Sequence, residues 1–212
     1  SKYIKLFSIL LAVVTISILK DNVQAMSAEK AGQYVAEFAI NFYNDHKDET
    51  GYTCSGWSNL YTGHRAIAYI KGEKTTYNGM SKYWIDCVGW VSFAYHHSLG
   101  IGASDKFDYF ATPQQKALAG FENLGSIPES EYKPGDILVN SHHVMIYVGN
   151  NKIVDSAAGD GVSPGLKFRA PGSTSGTKVA TVVRIKESTA ASIDESNATT
   201  IYQGSGGISN AW

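Results

Sequence analysis

Cys87, His143 and Asp155 are the residues of this chain whose types and settings suit covalent chemistry. Cys87 stands in Tyr83-Trp84-Ile85-Asp86-Cys87-Val88-Gly89-Trp90, and the apolar spacing that follows reads as a helix with the cysteine in its first turn. His143 opens the strand Val144-Met145-Ile146-Tyr147-Val148, which turns back and returns an aspartate, Asp155. A cysteine, a histidine and a polar orienter are the parts of a thiol acyl-transfer site, in which a base makes the thiolate and a third group holds the base. A free thiol has a pKa of about 8.5, which a helix N-terminus and a neighbouring imidazolium both lower. The N–H groups of the same first turn can serve as oxyanion donors. Asp86 sits where an acid favours the helix start, and Gly89 leaves room for a substrate backbone.

The return of the strand carries a parity argument. With a three-residue loop at Gly149, Asn150 and Asn151, Val148 faces Lys152 and Met145 faces Asp155. His143 and Asp155 then share a sheet face at a diagonal spacing of about 7–8 Å, which side chains can close. An even, two-residue loop puts Asp155 on the opposite face. Adjacent strand residues point to opposite faces, so only one of His142 and His143 can reach Cys87, and the parity favours His143.

Other candidates are weaker. His46, His64, His96 and His97 have no acid at useful spacing and read as surface or packing residues. Two adjacent histidines on opposite faces make a poor metal site, and neither metal nor cofactor is expected. Cys54 lies in a Gly-flanked stretch without a preceding acid and reads as a structural thiol. A Cys54–Cys87 disulfide would silence the nucleophile.

The elements that must position these residues follow from periodicity. Ala31, Val35, Phe38, Ala39 and Phe42 recur at helical spacing over 28–46, with Ser27 as N-cap. A short helix is predicted over His64–Ile70 and a loop over Gly72–Met80 with a turn at Tyr77-Asn78-Gly79. The cysteine helix runs to about His97 and stops at Leu99-Gly100. Residues 101–133 read as irregular with one short helix at Pro113–Leu118. Strands follow at Ile137–Val139, His143–Val148, Lys152–Ala157 and Val179–Ile185. The order predicts an α+β fold in which the nucleophile helix packs on a small antiparallel sheet.

The 212 residues suffice for one domain, and a net charge of -1 gives no sign of nucleic-acid binding. Thirteen tyrosines, four tryptophans and twenty-one glycines suit a strand-and-loop surface that recognises sugar or peptide, and suit an aromatic core equally. Lys2 and Lys5 precede an apolar run from Leu6 to Leu19, with small residues before Met26. This predicts a secretory signal over 1–25, since a membrane span needs about 20 apolar residues. A domain over 26–186 and a flexible Ser/Thr/Gly-rich tail over 187–212 complete the expected organisation.

Three segments resemble the NlpC-type bacterial cell-wall cysteine peptidases: Asp86-Cys87-Val88-Gly89-Trp90-Val91, Lys133-Pro134-Gly135-Asp136-Ile137-Leu138, and His143-Val144-Met145-Ile146-Tyr147-Val148-Gly149-Asn150. Thr112-Pro113-Gln114-Gln115 and Tyr77-Asn78-Gly79 are similar to two further family stretches. The chain departs from the pattern at Val88, usually Ser, at Met145, usually Gly, and at Asp155, more often His. The resemblance implies a papain-like fold, Cys87, His143 and Asp155 as catalytic residues, and hydrolysis of peptidoglycan stem peptides after a γ-linked D-glutamate. Tyr77, Asp86, Val88, Gly89 and His142 are the substrate-binding candidates. The expected protein is a secreted monomer whose mature chain has no membrane span. An N-acetylmuramoyl-L-alanine amidase and an inactive wall-binding module are the alternatives.

Overall fold

The computed structural model describes residues 25–53, 61–62, 65–66, 73–101, 118–158 and 165–201. Helix α1, Ala28–His46, begins where the Ser27 side chain accepts from the Lys30 N–H, and buries Ala31, Val35, Phe38, Ala39 and Phe42. Helix α2, Cys87–Leu99, is capped by Asp86 at its start and ends on Gly100, whose left-handed backbone (φ 72°) needs no Cβ. Ten of its thirteen residues are buried, so it is a central helix rather than an amphipathic surface one. Phe42 of α1 meets Phe93 of α2 at 4.9 Å and Trp90 at 5.5 Å between ring centres, locking the two helices together.

Among the described residues the main sheet has the order β10-β9-β8-β7-β11-β6, antiparallel throughout. Its strands are β6 Phe121–Gly125, β7 Ile137–Val139, β8 Val144–Gly149, β9 Lys152–Ala157, β10 Gly165–Arg169 and β11 Thr181–Ile185. Ile137, Val139, Val144, Ile146, Val154 and Val183 share a core with the two helices. Leu138, Met145, Tyr147, Ile153 and Val182 share a second core with Leu124, Ile127, Tyr132 and Val179. Burial on both faces explains why β7 and β8 read as continuous apolar runs. The α+β class and the packing of the cysteine helix against an antiparallel sheet are as expected.

Several local expectations are corrected. Arg65–Ala66 is strand β3, paired with β2 (Tyr61–Thr62), and not the start of a helix. The predicted loop over Gly72–Met80 contains a hairpin, in which β4 (Thr75–Tyr77) pairs with β5 (Met80–Trp84) across Asn78 and Gly79, both at positive φ. β5 also pairs in parallel with the short β1, Thr50–Gly51. β6 lies inside the stretch read as irregular, because Glu122 and Asn123 face outward and break its apolar signal. The tail is not free over its described part. Ala190 of the short helix α3 (Glu187–Ala190) is buried, Ala28 N donates to Glu187 Oε2 at 2.9 Å, and Thr199 N donates to Ser98 O at 2.9 Å. Composition misses this because the tethers, a few polar bonds and the packing of Ala190, Ile193 and Ala198 on the core, join the tail to residues distant in sequence. The predicted signal segment up to residue 24, Cys54, Pro113–Gln115 and residues 202–212 lie outside the described residues.

Candidate active site

The register of β8 and β9 decides whether the site assembles. Asn150 and Asn151 both adopt positive φ, and Gly149 pairs with Lys152, so the connection is the two-residue turn. That turn alone would send Asp155 to the wrong face. A bulge between Tyr147 and Gly149 adds one residue to β8, after which Tyr147 pairs with Ile153 and Ile146 with Val154. The expected register is restored by a different device from the expected three-residue loop. His143 Nε2 stands 2.6 Å from Asp155 Oδ2, and the Asp155 side chain is wholly buried.

Cys87 is a free thiol at the first turn of α2 and interacts with the His143 ring. With Nε2 engaged by Asp155, Nδ1 is the ring nitrogen left for the sulfur. Two cross-links tie the start of α2 to the strand carrying Asp155. Trp90 Nε1 donates to Val154 O at 3.1 Å, and Ser156 Oγ donates to Ile85 O at 2.8 Å. The acceptor and donor residues on β9 flank Asp155, so Cys87 and Asp155 are held by the same short stretch.

The Pro-Gly-Asp segment braces the opposite side. Tyr95 of α2 donates from its hydroxyl to Gly135 O at 2.6 Å. Buried Asp136 takes both Nε and Nη2 of Arg184, each at 2.7 Å. A Cβ on Gly32 would lie 2.2 Å from Pro134 O, so α1 crosses this turn only because glycine allows it. The motif therefore holds α1, α2 and the sheet together.

Burial tends to lower the pKa of His143, but the Asp155 bond, followed by the Cys87 contact, outweighs it and raises the value to about 9. The ring is thus charged at neutral pH. Its pairing contributes stability that is present in full below the ordinary value of about 6.5 and is lost as pH rises through the folded value. Burial pushes Asp155 upward, but His143 and then Arg169 more than reverse this and leave its carboxyl below its ordinary value. Its contribution is present above the ordinary value of about 3.9 and is lost as pH falls through the folded value.

The remaining sequence candidates take these places. Asp86 Oδ1 accepts the Gly89 N–H at 2.5 Å, and Trp90 N donates to Asp86 O, so those two N–H groups are already used. The N–H groups of Cys87 and Val88 are left without helical acceptors, as helix starts require. A Cβ on Gly89 would meet Asp86 Oδ1 at 2.9 Å, which makes Gly89 a condition of the cap. Val88 is half-buried against the core. Tyr77 sits on the hairpin leading to Cys87, its ring edge-on to Trp84 at 5.5 Å. His142 is exposed.

Two contributors escaped sequence reasoning. Arg169 grips both oxygens of Asp155, with Nε on Oδ1 at 3.0 Å and Nη2 on Oδ2 at 2.7 Å. Nothing local marks it, since β10 itself was not predicted. Asn140 Oδ1 accepts from the N–H groups of both His142 and His143 at 2.8 Å, and its Nδ2 donates to Gly176 O at 2.7 Å. Asn before a tight bend is the available signal. Asn140→Ala is expected to lower stability by about 1–2 kcal/mol through its lost bonds. It should also lower kcat/KM roughly tenfold by loosening the His143 backbone. Denaturant unfolding and steady-state kinetics check this, and full activity at reduced stability would show that the ring does not depend on the Asn140 bend.

A cysteine heading a central helix, facing a histidine and an aspartate on an antiparallel sheet, defines a papain-like α+β protein. The chain belongs to the NlpC/P60 family, whose profile matches residues 72–185. This is a family of cell-wall peptidases, peptidoglycan hydrolases that use a cysteine. The P60 domain of an antigen from M. avium subspecies paratuberculosis is similar at 18% identity, over 73% of this chain and 96% of that one, with a TM-score of 0.40. The comparison with curated proteins gave no match. No helix among the described residues is long and apolar enough to cross a membrane.

Proposed function

We propose that the protein is an exported cysteine endopeptidase that hydrolyses peptidoglycan stem peptides at a γ-D-glutamyl bond. Cys87 is the nucleophile, His143 the base and acid, and Asp155 the orienting carboxylate. The observation that carries this reading is the 2.6 Å bond between His143 Nε2 and Asp155 Oδ2 beside the free thiol of Cys87. Export rests on the basic and apolar N-terminal segment alone.

In the reaction the Cys87 thiolate attacks the amide carbon, and the oxyanion forms beside the Cys87 and Val88 N–H groups at the start of α2. The His143 imidazolium then gives its proton to the leaving amine as the C–N bond breaks, leaving a thioester on Cys87. Water, deprotonated by the now neutral imidazole, attacks the thioester. The C–S bond breaks, the acid product leaves, and the thiolate–imidazolium pair is restored. Tyr77, Val88 and His142 are the side chains proposed to meet the stem peptide around this line of attack.

Mass spectrometry of purified peptidoglycan incubated with the protein tests the reading. Truncated stems are expected. Release of the lactyl-ether carboxyl of the sugar would instead identify an amidase, and an unchanged wall would sink the hydrolase reading.

Asp155→Ala should lower kcat/KM by roughly tenfold to ten-thousandfold, between a weak orienter and the cost of a wrong tautomer in a serine triad. Asp155→Asn should retain more, because it still accepts from the ring N–H. Kinetics on a γ-D-glutamyl peptide, with circular dichroism to confirm folding, measures this. Full activity in Asp155→Ala would remove it from the site.

A further inference from the structure

Asp155 is wholly buried, and a carboxylate in that position stays ionised only with partners for its charge. Its orientation matters as much as its charge. An ionised Asp155 accepts from Nε2–H and leaves the Nδ1 lone pair for the thiol proton. A neutral carboxyl can instead donate to Nε2, which puts the ring proton on Nδ1 and blocks proton acceptance from sulfur. Arg169 opposes that failure. Arg169 pairs with Ile153 across β9 and β10, two positions along from the Lys167–Asp155 pair. From this diagonal place its planar guanidinium reaches both carboxylate oxygens, and Oδ2 is shared between Arg169 and His143.

We propose that Arg169 is a positioning residue of the site, a fourth member that locks the Asp155 carboxylate as an ionised acceptor with Oδ2 turned to His143. The assignment rests on the reading of Cys87, His143 and Asp155 as a triad. A two-point grip fixes the carboxylate plane as a single ammonium cannot, so the arginine fork and not only its charge is required. The groups facing Asp155 among the described residues are His143 from the residue just before β8, Lys167 and Arg169 from β10, and, through the imidazole, Cys87 from α2. Losing the Arg169 cation favours protonation of Asp155 and disfavours the thiolate, so both effects move the acid limb of reactivity to higher pH.

The test uses the full chain and reads Cys87 directly, by its rate of alkylation with iodoacetamide from pH 5 to 9, beside kcat/KM on a γ-D-glutamyl peptide. Arg169→Gln should slow alkylation at the acid end by about tenfold or more and leave the alkaline plateau nearly unchanged, and kcat should fall roughly 10–100-fold with little change in KM, the scale of lost outer supports. Arg169→Lys should recover part of both. In an Asp155→Asn background, Arg169→Gln should add little, because the carboxylate it serves is gone. An unshifted alkylation profile in Arg169→Gln, or full additivity with Asp155→Asn, overturns the proposal. If Arg169→Gln fails to fold, Arg169→Lys carries the test, with a smaller shift of the same sign expected and no shift overturning it. Wild-type alkylation with an acid limb but no peptide hydrolysis would defeat the substrate assignment and leave the Arg169 comparison standing.

Discussion

Cys87→Ala is expected to bring hydrolysis of stem peptides down to background, a loss on the order of 10⁶-fold in kcat if the triad acts as a unit. The substitution removes the atom that forms the thioester, and no other residue at the start of α2 can replace it: Val88 and Gly89 carry no nucleophile. Folding should survive, because a cysteine-sized hole at a helix terminus is small beside the aromatic packing of Phe42, Trp90 and Phe93 below it. Circular dichroism and thermal melting separate the two effects. Cys54→Ser serves as the control and should retain most activity under reducing conditions. Inactivation by Cys54→Ser alone would overturn the assignment of the nucleophile.

His143→Ala should slow acylation by several orders of magnitude, about 10⁴-fold or more, since it removes both the thiolate's counter-ion and the proton for the leaving amine. His142→Ala should change kcat/KM only slightly, because its side chain is exposed and its N–H bond to Asn140 is made by the backbone. The contrast between neighbours is the informative result. Both variants keep the Asn140 bend, so a difference between them measures the ring and not the loop. His143→Ala should also flatten the loss of stability above neutral pH, because the group whose pKa is raised to about 9 is no longer there. Equal losses from the two substitutions would mean that strand parity does not select the base.

Helices α1 and α2 were legible because their signals are local, whereas α3 lay unrecognised in the polar tail. Ser27 before an apolar 3.6-residue repeat, and Asp86 before Cys87, name their own helix starts, and Gly100 names the end of α2. The strands β7 and β8 were legible because both sheet faces are buried and their residues are almost all apolar, and β9 because Ile153 and Val154 follow directly on the Gly149-Asn150-Asn151 turn. β10 and β6 were not. Their pattern mixes charged and apolar positions, as edge strands do, and only pairing with β9 and β11 makes them strands. The hairpin shows the same divide within a few residues. Two asparagines announce a turn at positive φ, but the compensating bulge is a property of how β8 meets β9, so the parity argument reached the right register through the wrong loop.

The types and order of Cys87, His143 and Asp155, and the placing of the cysteine at a helix start, were determined by the sequence itself, because each is written in neighbours within a turn or a strand. What only the tertiary structure decided is the company these groups keep. Asp86 and Gly89 are occupied with each other at the cap, which leaves the Cys87 and Val88 N–H groups without helical acceptors. Trp90 and Ser156 reach across to set α2 against β9, and Arg169 arrives from a strand with no local signature to take both oxygens of a buried carboxylate. Such contacts join residues far apart in the chain. Their energy comes from burial and from geometry between elements, and no window of sequence contains it.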